Sequence, residues 1–179
     1  MLFRSDPVVT REAILREHHR GGQCFYVCPR ILDLPDVERF LADRIPEVKF
    51  VTAHGRMPPS QLEDVMSAFY DGAYDVLVST TIVESGLDIP NANTLIVHRS
   101  DRFGLSQLYQ LRGRIGRSKT RAYAYFTLPP KRIPTEAADK RLKVLQSLDT
   151  LGAGFSLASH DLDLRSEERR VGKECRSRW

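Results

Sequence analysis

The chain has 179 residues, of which 41% are hydrophobic and 28% are charged. This composition supports the core of one globular domain, excludes a disordered chain, and contains no apolar run near the roughly 18 residues of a membrane-spanning helix. The net charge of +4 permits an anionic partner but does not require one.

Elements at the start of the chain are predicted from caps and apolar spacing. A first helix is predicted at 10–20, where Thr10 can serve as its N-cap and Gly21 with Gly22 ends it. A β-rich run at 23–28 follows. A helix is then predicted at 34–45, with Val37, Phe40, Leu41 and Ile45 on one stripe, and a strand at 48–53.

The clearest helix follows this strand. Ser60 and Glu63 have the spacing of a capping box, and Gly72 ends the helix. Five residues spaced at i, i+3, i+4, i+7 and i+8 predict its buried face: Leu62, Val65, Met66, Phe69 and Tyr70. Further strands are predicted at 75–79, 94–98 and 122–128, with a helix at 105–111. The alternation of strands and helices predicts a parallel α/β sheet flanked by helices.

Three prolines mark a linker at 129–134. Beyond it we expect a helical hairpin: a helix at 135–151 with Leu142, Leu145, Leu148 and Leu151 inward, a reversal at the glycines 152 and 154, and a return segment at 155–164. The last stretch, 166–179, lacks apolar periodicity. We therefore predict one domain at 1–128, the hairpin at 135–165, and a tail that is disordered or not native to the domain.

The cysteines indicate a cellular compartment. Cys24, Cys28 and Cys175 are odd in number and lack framework spacing, which is typical of a reduced, intracellular chain. Cys24 and Cys28 share a face of one predicted strand, so we expect core packing and not a zinc site. No signal peptide is visible at 1–6. These features predict a soluble, cytoplasmic protein without a membrane partner.

The first segment that could carry chemistry is 52–57, which follows a predicted strand. Open α/β sheets bind ligands at such strand ends. Gly55 lets the backbone come close to a ligand, and Arg56 together with helix-start amides suits a phosphate. A plain strand-to-helix loop is the alternative, and this segment alone favours that interpretation.

The second segment is 79–90, a long polar stretch after a buried strand. Hydroxyl groups at Thr80 and Thr81 can hold a phosphate, and Gly86 with Asp88 can offer a backbone turn and an acceptor to a ribose hydroxyl. A simple turn at 88–90 explains the same residues equally well.

The third segment, 110–117, contains three arginines and two glycines in eight residues. A solvated basic face usually uses lysine and has no need of glycines between its charges. The planar guanidinium group suits bidentate phosphate contact and can stabilise charge on a transferring phosphoryl group. This segment therefore favours a functional interpretation.

The three segments together resemble motifs IVa, V and VI of superfamily 2 helicases and translocases, in the same order and spacing. The segment 110–117 followed by a helical hairpin is similar to the branch of transcription-repair coupling factors and the fork-reversing helicase RecG. Two stretches, 11–17 and 147–155, favour the coupling factors. The resemblance implies the second RecA-like domain of an ATP-driven double-stranded DNA translocase, which removes stalled RNA polymerase and recruits excision-repair proteins.

The resemblance also implies roles for single residues at the nucleotide. Arg114 and Arg117 would reach the γ-phosphate across a cleft between two RecA-like domains, and Gln110 would support the site. Gly86 and Asp88 would face the nucleotide.

Further residues are implied to contact DNA or to couple the hairpin. Contacts to the DNA backbone would be made by His54, Gly55, Arg56, Thr80 and Thr81. The hairpin resembles a translocation motif, with Arg141 and Arg165 as its coupling arginines.

The chain also departs from the superfamily pattern. It has neither a Walker A lysine nor an Asp-Glu dipeptide, so Mg²⁺ and ATP would be held by the first RecA-like domain of a parent protein. We therefore expect no ATP hydrolysis by this chain alone. Two alternatives stay open: a fragment of the fork-reversing helicase, or a non-catalytic nucleic-acid-binding module.

Overall fold

The computed structural model describes residues 2–4, 6–80, 89–116, 119–129 and 135–147. These residues form one parallel sheet with the strand order β1-β6-β5-β2-β4-β3. Its strands are β1 Leu2–Arg4, β2 Gln23–Val27, β3 Phe50–Ala53, β4 Val76–Ser79, β5 Ala92–Val97 and β6 Tyr123–Leu128. The helices are α1 Pro7–His19, α2 Leu34–Arg44, α3 Pro59–Tyr70, α4 Leu105–Arg112 and α5 Glu136–Ser147, with 3₁₀ turns at Ile31–Asp33 and Ser100–Arg102.

The sheet separates two apolar cores, because successive side chains of a strand point to opposite faces. In β2, Cys24 and Tyr26 pack in the core that contains the apolar residues of α1 and α2. Phe25 and Val27, from the same strand, pack in the core that contains those of α3, α4 and α5. Helices cover both faces, so the predicted fold class is confirmed.

The start of α1 differs from the sequence prediction. Thr10 is not the N-cap, since the helix begins at Pro7 and the side chain of Asp6 accepts a hydrogen bond of 2.9 Å from the Val8 amide. Proline suits the first helical position because its missing N–H would have no partner there. Gly21 has φ +74°, as expected for the residue that ends the helix.

The capping box predicted for α3 is wrong. The helix begins at Pro59 and no side chain caps it, so Ser60 lies inside the first turn. Met66 and Phe69 are buried, as predicted. Tyr70 is 53% exposed, because it is the last residue of the helix and lies beyond the packed stripe.

Strand β1 was not predicted, since three residues are too few to show an alternating pattern. It pairs in parallel with β6, in the register Leu2↔Phe126 to Arg4↔Leu128.

In α5, Leu142 and Leu145 are buried as predicted. The predicted positions of Leu148 and Leu151, the return segment and the tail lie outside the described residues.

Cys24 and Cys28 are both buried in the core beside α1 and α2, as expected for core packing. Burial raises the pKa of the Cys28 thiol to about 12, so the group is neutral and unreactive at physiological pH. None of the described helices is long and apolar enough to cross a membrane.

A buried carboxylate joins α1 to the sheet at the end opposite the polar loops. Glu17 is 1% exposed, and it accepts hydrogen bonds from the Thr94 hydroxyl on β5 and from Arg20. Gly22 leaves room for this carboxylate, since a Cβ at that position would lie 1.8 Å from Glu17 Oε1. Because Arg20 is partly exposed, solvent screens part of the attraction between Arg20 and Glu17.

We predict that Glu17→Ala lowers the free energy of unfolding by about 1–3 kcal/mol, because it leaves Thr94 and Arg20 without their buried partner. The matched control is Glu12→Ala on the exposed face of the same helix, which should change the value by less than about 0.5 kcal/mol. Urea unfolding followed by circular dichroism measures both. Equal stability of the two variants would contradict this role for Glu17.

Candidate functional site

All strands run in parallel, so the loops at their carboxyl ends share one edge of the sheet. Ala53 pairs with Ser79 in the register of β3 and β4, and the Thr80 amide donates a hydrogen bond of 3.3 Å to the Ala53 carbonyl. The loop that begins at His54 therefore lies beside Thr80. Two of the three segments singled out in the sequence meet at this edge.

The loop after β3 is a tight turn. The Met57 amide donates to the His54 carbonyl at 3.0 Å, and the His54 amide contacts Met57 Sδ at 3.4 Å. Gly55 and Arg56 are exposed at the tip of the turn. Their backbone and guanidinium donors are thus available to an anionic ligand.

A groove of about 440 Å³ separates this loop from the start of α2. Its wall includes Thr52, whose hydroxyl donates a hydrogen bond of 2.5 Å to Glu38. The imidazole Nδ1 of His54, also on the wall, is buried and has no hydrogen-bond partner among the described residues. The groove thus combines apolar walls with a few polar atoms beside the exposed loop.

Thr80 ends the described part of the second segment and is 8% exposed. Its neighbours Thr81, Gly86 and Asp88 lie outside the described residues, so their predicted roles stay predictions. The chain is described again from Ile89, which is buried in the core beside α3 and α4.

The third segment forms the end of α4 and the turn after it. Gln110 is exposed, whereas Leu108 and Leu111 are buried. After the helix, the Arg114 amide donates to the Leu111 carbonyl at 3.1 Å, which continues the chain as a turn. Arg114 is half-buried on this turn, and Arg117 lies outside the described residues.

Gly116 shapes the turn that carries Arg114. Its φ is +80°, a left-handed conformation that side chains disfavour. A Cβ at this position would also lie 3.1 Å from the Cβ of Ala122. Both the backbone conformation and the lack of space therefore favour glycine at position 116. Gly113, by contrast, has a φ of −68°, which other residues adopt easily.

Helix α5 packs on α4 and on the turn after β5. Arg141 donates a hydrogen bond of 3.4 Å to the Asp101 carbonyl, and Arg112 donates one of 3.4 Å to the Leu145 carbonyl. The arginine-rich segment and α5 are thus directly bonded. The second predicted coupling residue, Arg165, lies outside the described residues.

Sequence reasoning missed one polar cluster at this edge. It contains Arg30 and Asp33 after β2, and His98 and Arg99 after β5. The pair 30 and 33 has the spacing of a local ion pair, which could have indicated half of the cluster. Nothing in the sequence indicates that Arg99 joins it.

Comparisons with known proteins point to one family. The helicase conserved C-terminal domain matches residues 8–119. Transcription-repair-coupling factor from Rickettsia prowazekii (strain Madrid E) is 53% identical over 169 residues, and that from Escherichia coli (strain K12) is 47% identical over 169 residues. Each alignment covers 94% of this chain and 15% of the relative. The chain thus spans about one seventh of these relatives.

Solved structures agree with this result. A structure of RecG bound to a three-way DNA junction superposes with a TM-score of 0.76 at 37% identity, covering 90% of this chain and 21% of that chain. The crystal structure of the Hef helicase domain from Pyrococcus furiosus superposes with a TM-score of 0.56 at 17% identity, covering 79% of this chain and 28% of that chain. The second comparison supports the fold alone.

We predict that Gly116→Ala lowers the free energy of unfolding by about 1–2 kcal/mol, because alanine resists the left-handed backbone and crowds Ala122. Gly113→Ala is the matched control and should be neutral or slightly stabilising, since its backbone suits alanine. Urea unfolding of the two variants measures the difference. If Gly116→Ala matches the control, the turn does not depend on glycine.

Proposed function

We propose, on the premise that this chain belongs to the helicase conserved C-terminal domain family, that it is the second motor domain of an ATP-driven translocase on double-stranded DNA. The higher identity to transcription-repair-coupling factors than to RecG favours a parent protein of the coupling-factor type. In that parent, removal of stalled RNA polymerase and recruitment of excision-repair proteins would depend on regions outside this chain.

The observation that carries the proposal is the pairing of β3 with β4, which brings Thr80 against the loop 54–56 at one sheet edge. The exposed residues Gly55 and Arg56 offer donors that suit the phosphate groups of a DNA strand, and Thr80 lies next to this loop. His54 lies at the base of the same loop. We assign DNA contact to these residues and to Thr81.

The turn after α4 supports a role at the nucleotide. Arg114 is half-buried there, so part of this residue packs against the protein while part stays accessible. Such an arginine can stabilise the charge that develops during phosphoryl transfer. We assign this role to Arg114 and Arg117, with Gln110, Gly86 and Asp88 closer to the rest of the nucleotide.

Bound ATP would supply a phosphoanhydride bond whose hydrolysis drives movement. Mg²⁺ would be held by the first RecA-like domain, since this chain has no Walker A lysine. This chain would contribute the positive charge of Arg114 and Arg117 and would position that charge at the γ-phosphate. Arg112, the last residue of α4, donates a hydrogen bond to the Leu145 carbonyl of α5. A movement of the turn that carries Arg114 would therefore be transmitted to α5, where Arg141 is the proposed coupling residue.

The alternative that differs most is a non-catalytic module in which the same arginines only hold nucleic-acid phosphates. A fragment of a fork-reversing helicase is the alternative within the family. Kinetic measurements distinguish the non-catalytic module from the proposal, because replacing an arginine that acts in the transition state lowers ATP turnover more than DNA binding.

We predict that the 179-residue chain does not hydrolyse ATP by itself, with or without duplex DNA, because it lacks a phosphate-binding loop. DNA-stimulated turnover should appear when a complete first RecA-like domain from a coupling factor is joined upstream. A coupled assay for ADP release measures both proteins. Turnover by the chain alone would refute the division of labour between the two domains.

We further predict that Arg114→Ala in the joined protein lowers ATP turnover by about 10³ to 10⁵ while DNA affinity stays within a few-fold. Arg114→Lys should also be strongly impaired, since lysine keeps the charge but loses the planar fork. Arg39→Ala, an exposed arginine on α2, is the control and should keep normal turnover. Near-normal turnover of Arg114→Lys together with weakened DNA binding would favour the non-catalytic module.

A further inference from the structure

Three arginines surround one tyrosine ring at the start of β6. Their guanidinium carbons lie 4.6, 5.2 and 5.9 Å from the centroid of the Tyr123 ring: Arg16, Arg20 and Arg121, in that order. Distances within about 6 Å allow attraction between a cation and the face of an aromatic ring. These four residues are called the arginine–tyrosine cluster below.

Aromatic rings hold most of the positive charge in this cluster. Arg16 also lies 5.9 Å from the centroid of Tyr125, and it donates a hydrogen bond to the Tyr125 hydroxyl. Arg20 pairs with the buried carboxylate of Glu17. Arg121 forms no ion pair and no side-chain hydrogen bond among the described residues, so the tyrosine ring is what holds its guanidinium group.

The cluster lies toward the amino ends of β5 and β6, away from the proposed DNA contacts. Tyr123 pairs with Thr94 in the register of these two strands, and the Thr94 hydroxyl donates a hydrogen bond to Glu17 of α1. The same end of α1 carries Arg16 and is capped by Arg20. The end of this helix therefore gives the cluster a fixed base on the sheet.

The turn that carries Arg114 packs against the same end of β6. A Cβ on Gly116 would lie 3.1 Å from the Cβ of Ala122, so the backbone of the turn approaches Ala122 closely. Ala122 stands between Arg121 and Tyr123 in the sequence. Because close-packed atoms have little room to shift, a displacement of the first residues of β6 would also displace this turn.

The turn is thus held at two places. At α4, the Arg114 amide donates a hydrogen bond of 3.1 Å to the Leu111 carbonyl. At β6, the turn meets Ala122 by packing. The backbone hydrogen bond fixes the first place, whereas the position of the second depends on the cluster that holds the start of β6.

We propose that Tyr123 is a positioning residue for phosphoryl transfer: the arginine–tyrosine cluster fixes the start of β6 and thereby places the turn that carries Arg114. This inference rests on the proposed function, in which Arg114 stabilises charge at the γ-phosphate. The effect of such an arginine depends on accurate placement, since a displacement of about 1 Å can lower a rate about 100-fold. A merely structural cluster would stabilise the fold without acting on the transition state.

The test uses the joined protein, in which a complete first RecA-like domain of a coupling factor precedes this chain. We expect Tyr123→Leu to lower kcat for ATP about 10-fold, because loss of the ring misplaces Arg114. The KM for ATP and the affinity for duplex DNA should stay within about two-fold, since the arginine acts in the transition state. Tyr123→Phe keeps the ring and should retain near-normal kcat.

Phe40→Leu is the matched control. It removes another partly buried ring on the same face of the sheet, from α2, and should leave kcat unchanged.

Inhibition by ADP with aluminium fluoride, which mimics the transferring phosphoryl group, separates positioning from folding. Tyr123→Leu should weaken inhibition by this complex about as much as it lowers kcat, while inhibition by ADP alone stays unchanged, because only the complex resembles the transition state. A variant that is only less stable would bind both inhibitors normally below its melting temperature.

A second variant covers the case in which Tyr123→Leu does not fold. Arg121 is exposed, so Arg121→Gln removes one member of the cluster and leaves the core intact. It should lower kcat several-fold without a change in KM. Arg39→Gln, also exposed but on α2, is its control and should keep normal kcat.

The outcomes are distinguishable. Normal kcat in both Tyr123→Leu and Arg121→Gln would overturn the inference, and so would an equal loss in Tyr123→Phe, which would assign the effect to the hydroxyl group. A lower melting temperature with unchanged inhibition by ADP and aluminium fluoride would make the cluster structural only. If the unchanged joined protein shows no DNA-stimulated turnover, the proposed function fails first, and this inference fails with it.

Discussion

The parallel register of the strands is the constraint on which the rest of the structure depends. Because every strand runs in the same direction, each one ends at the same edge, and segments far apart in sequence meet there. The backbone bonds from Thr80 to Ala53, from Cys28 to Ser79 and from His98 to Val27 fix this alignment. Polar loops can therefore form one surface, although each is a plain connection between a strand and a helix.

Two apolar cores keep that edge rigid. Alternate side chains of β2, β4 and β5 pack in the cores on opposite faces of the sheet. Neither helix layer can therefore shift without disturbing the central strands. Glu17 adds a polar bond between α1 and β5 at the opposite end of the sheet. Loops that bind ligands on such a scaffold can be accurately placed even when the loops themselves are short.

The candidate site combines local strain with bonds between elements. Gly116 and Arg99 both have left-handed backbones, yet only the first is a residue that accepts this conformation easily. At Arg99 the neighbouring strand β6 supplies the compensating hydrogen bonds through Thr127. Helix α5 is attached to the same region by hydrogen bonds of Arg112 and Arg141. These bonds connect α5 to the end of α4 and to the turn after β5.

The sequence by itself determined the elements whose signals are local. Short β-rich and apolar runs located five of the six strands in the described sheet, and caps and apolar spacing located all five described helices. Gly21 and Gly72 marked helix ends. These signals all arise within a few neighbouring residues. The residue types of the arginine and threonine segments indicated phosphate chemistry for the same reason. Only the tertiary structure decided what depends on partners distant in sequence. Strand β1 exists because β6 pairs with it, and Arg99 reaches Asp33 because β5 lies beside β2.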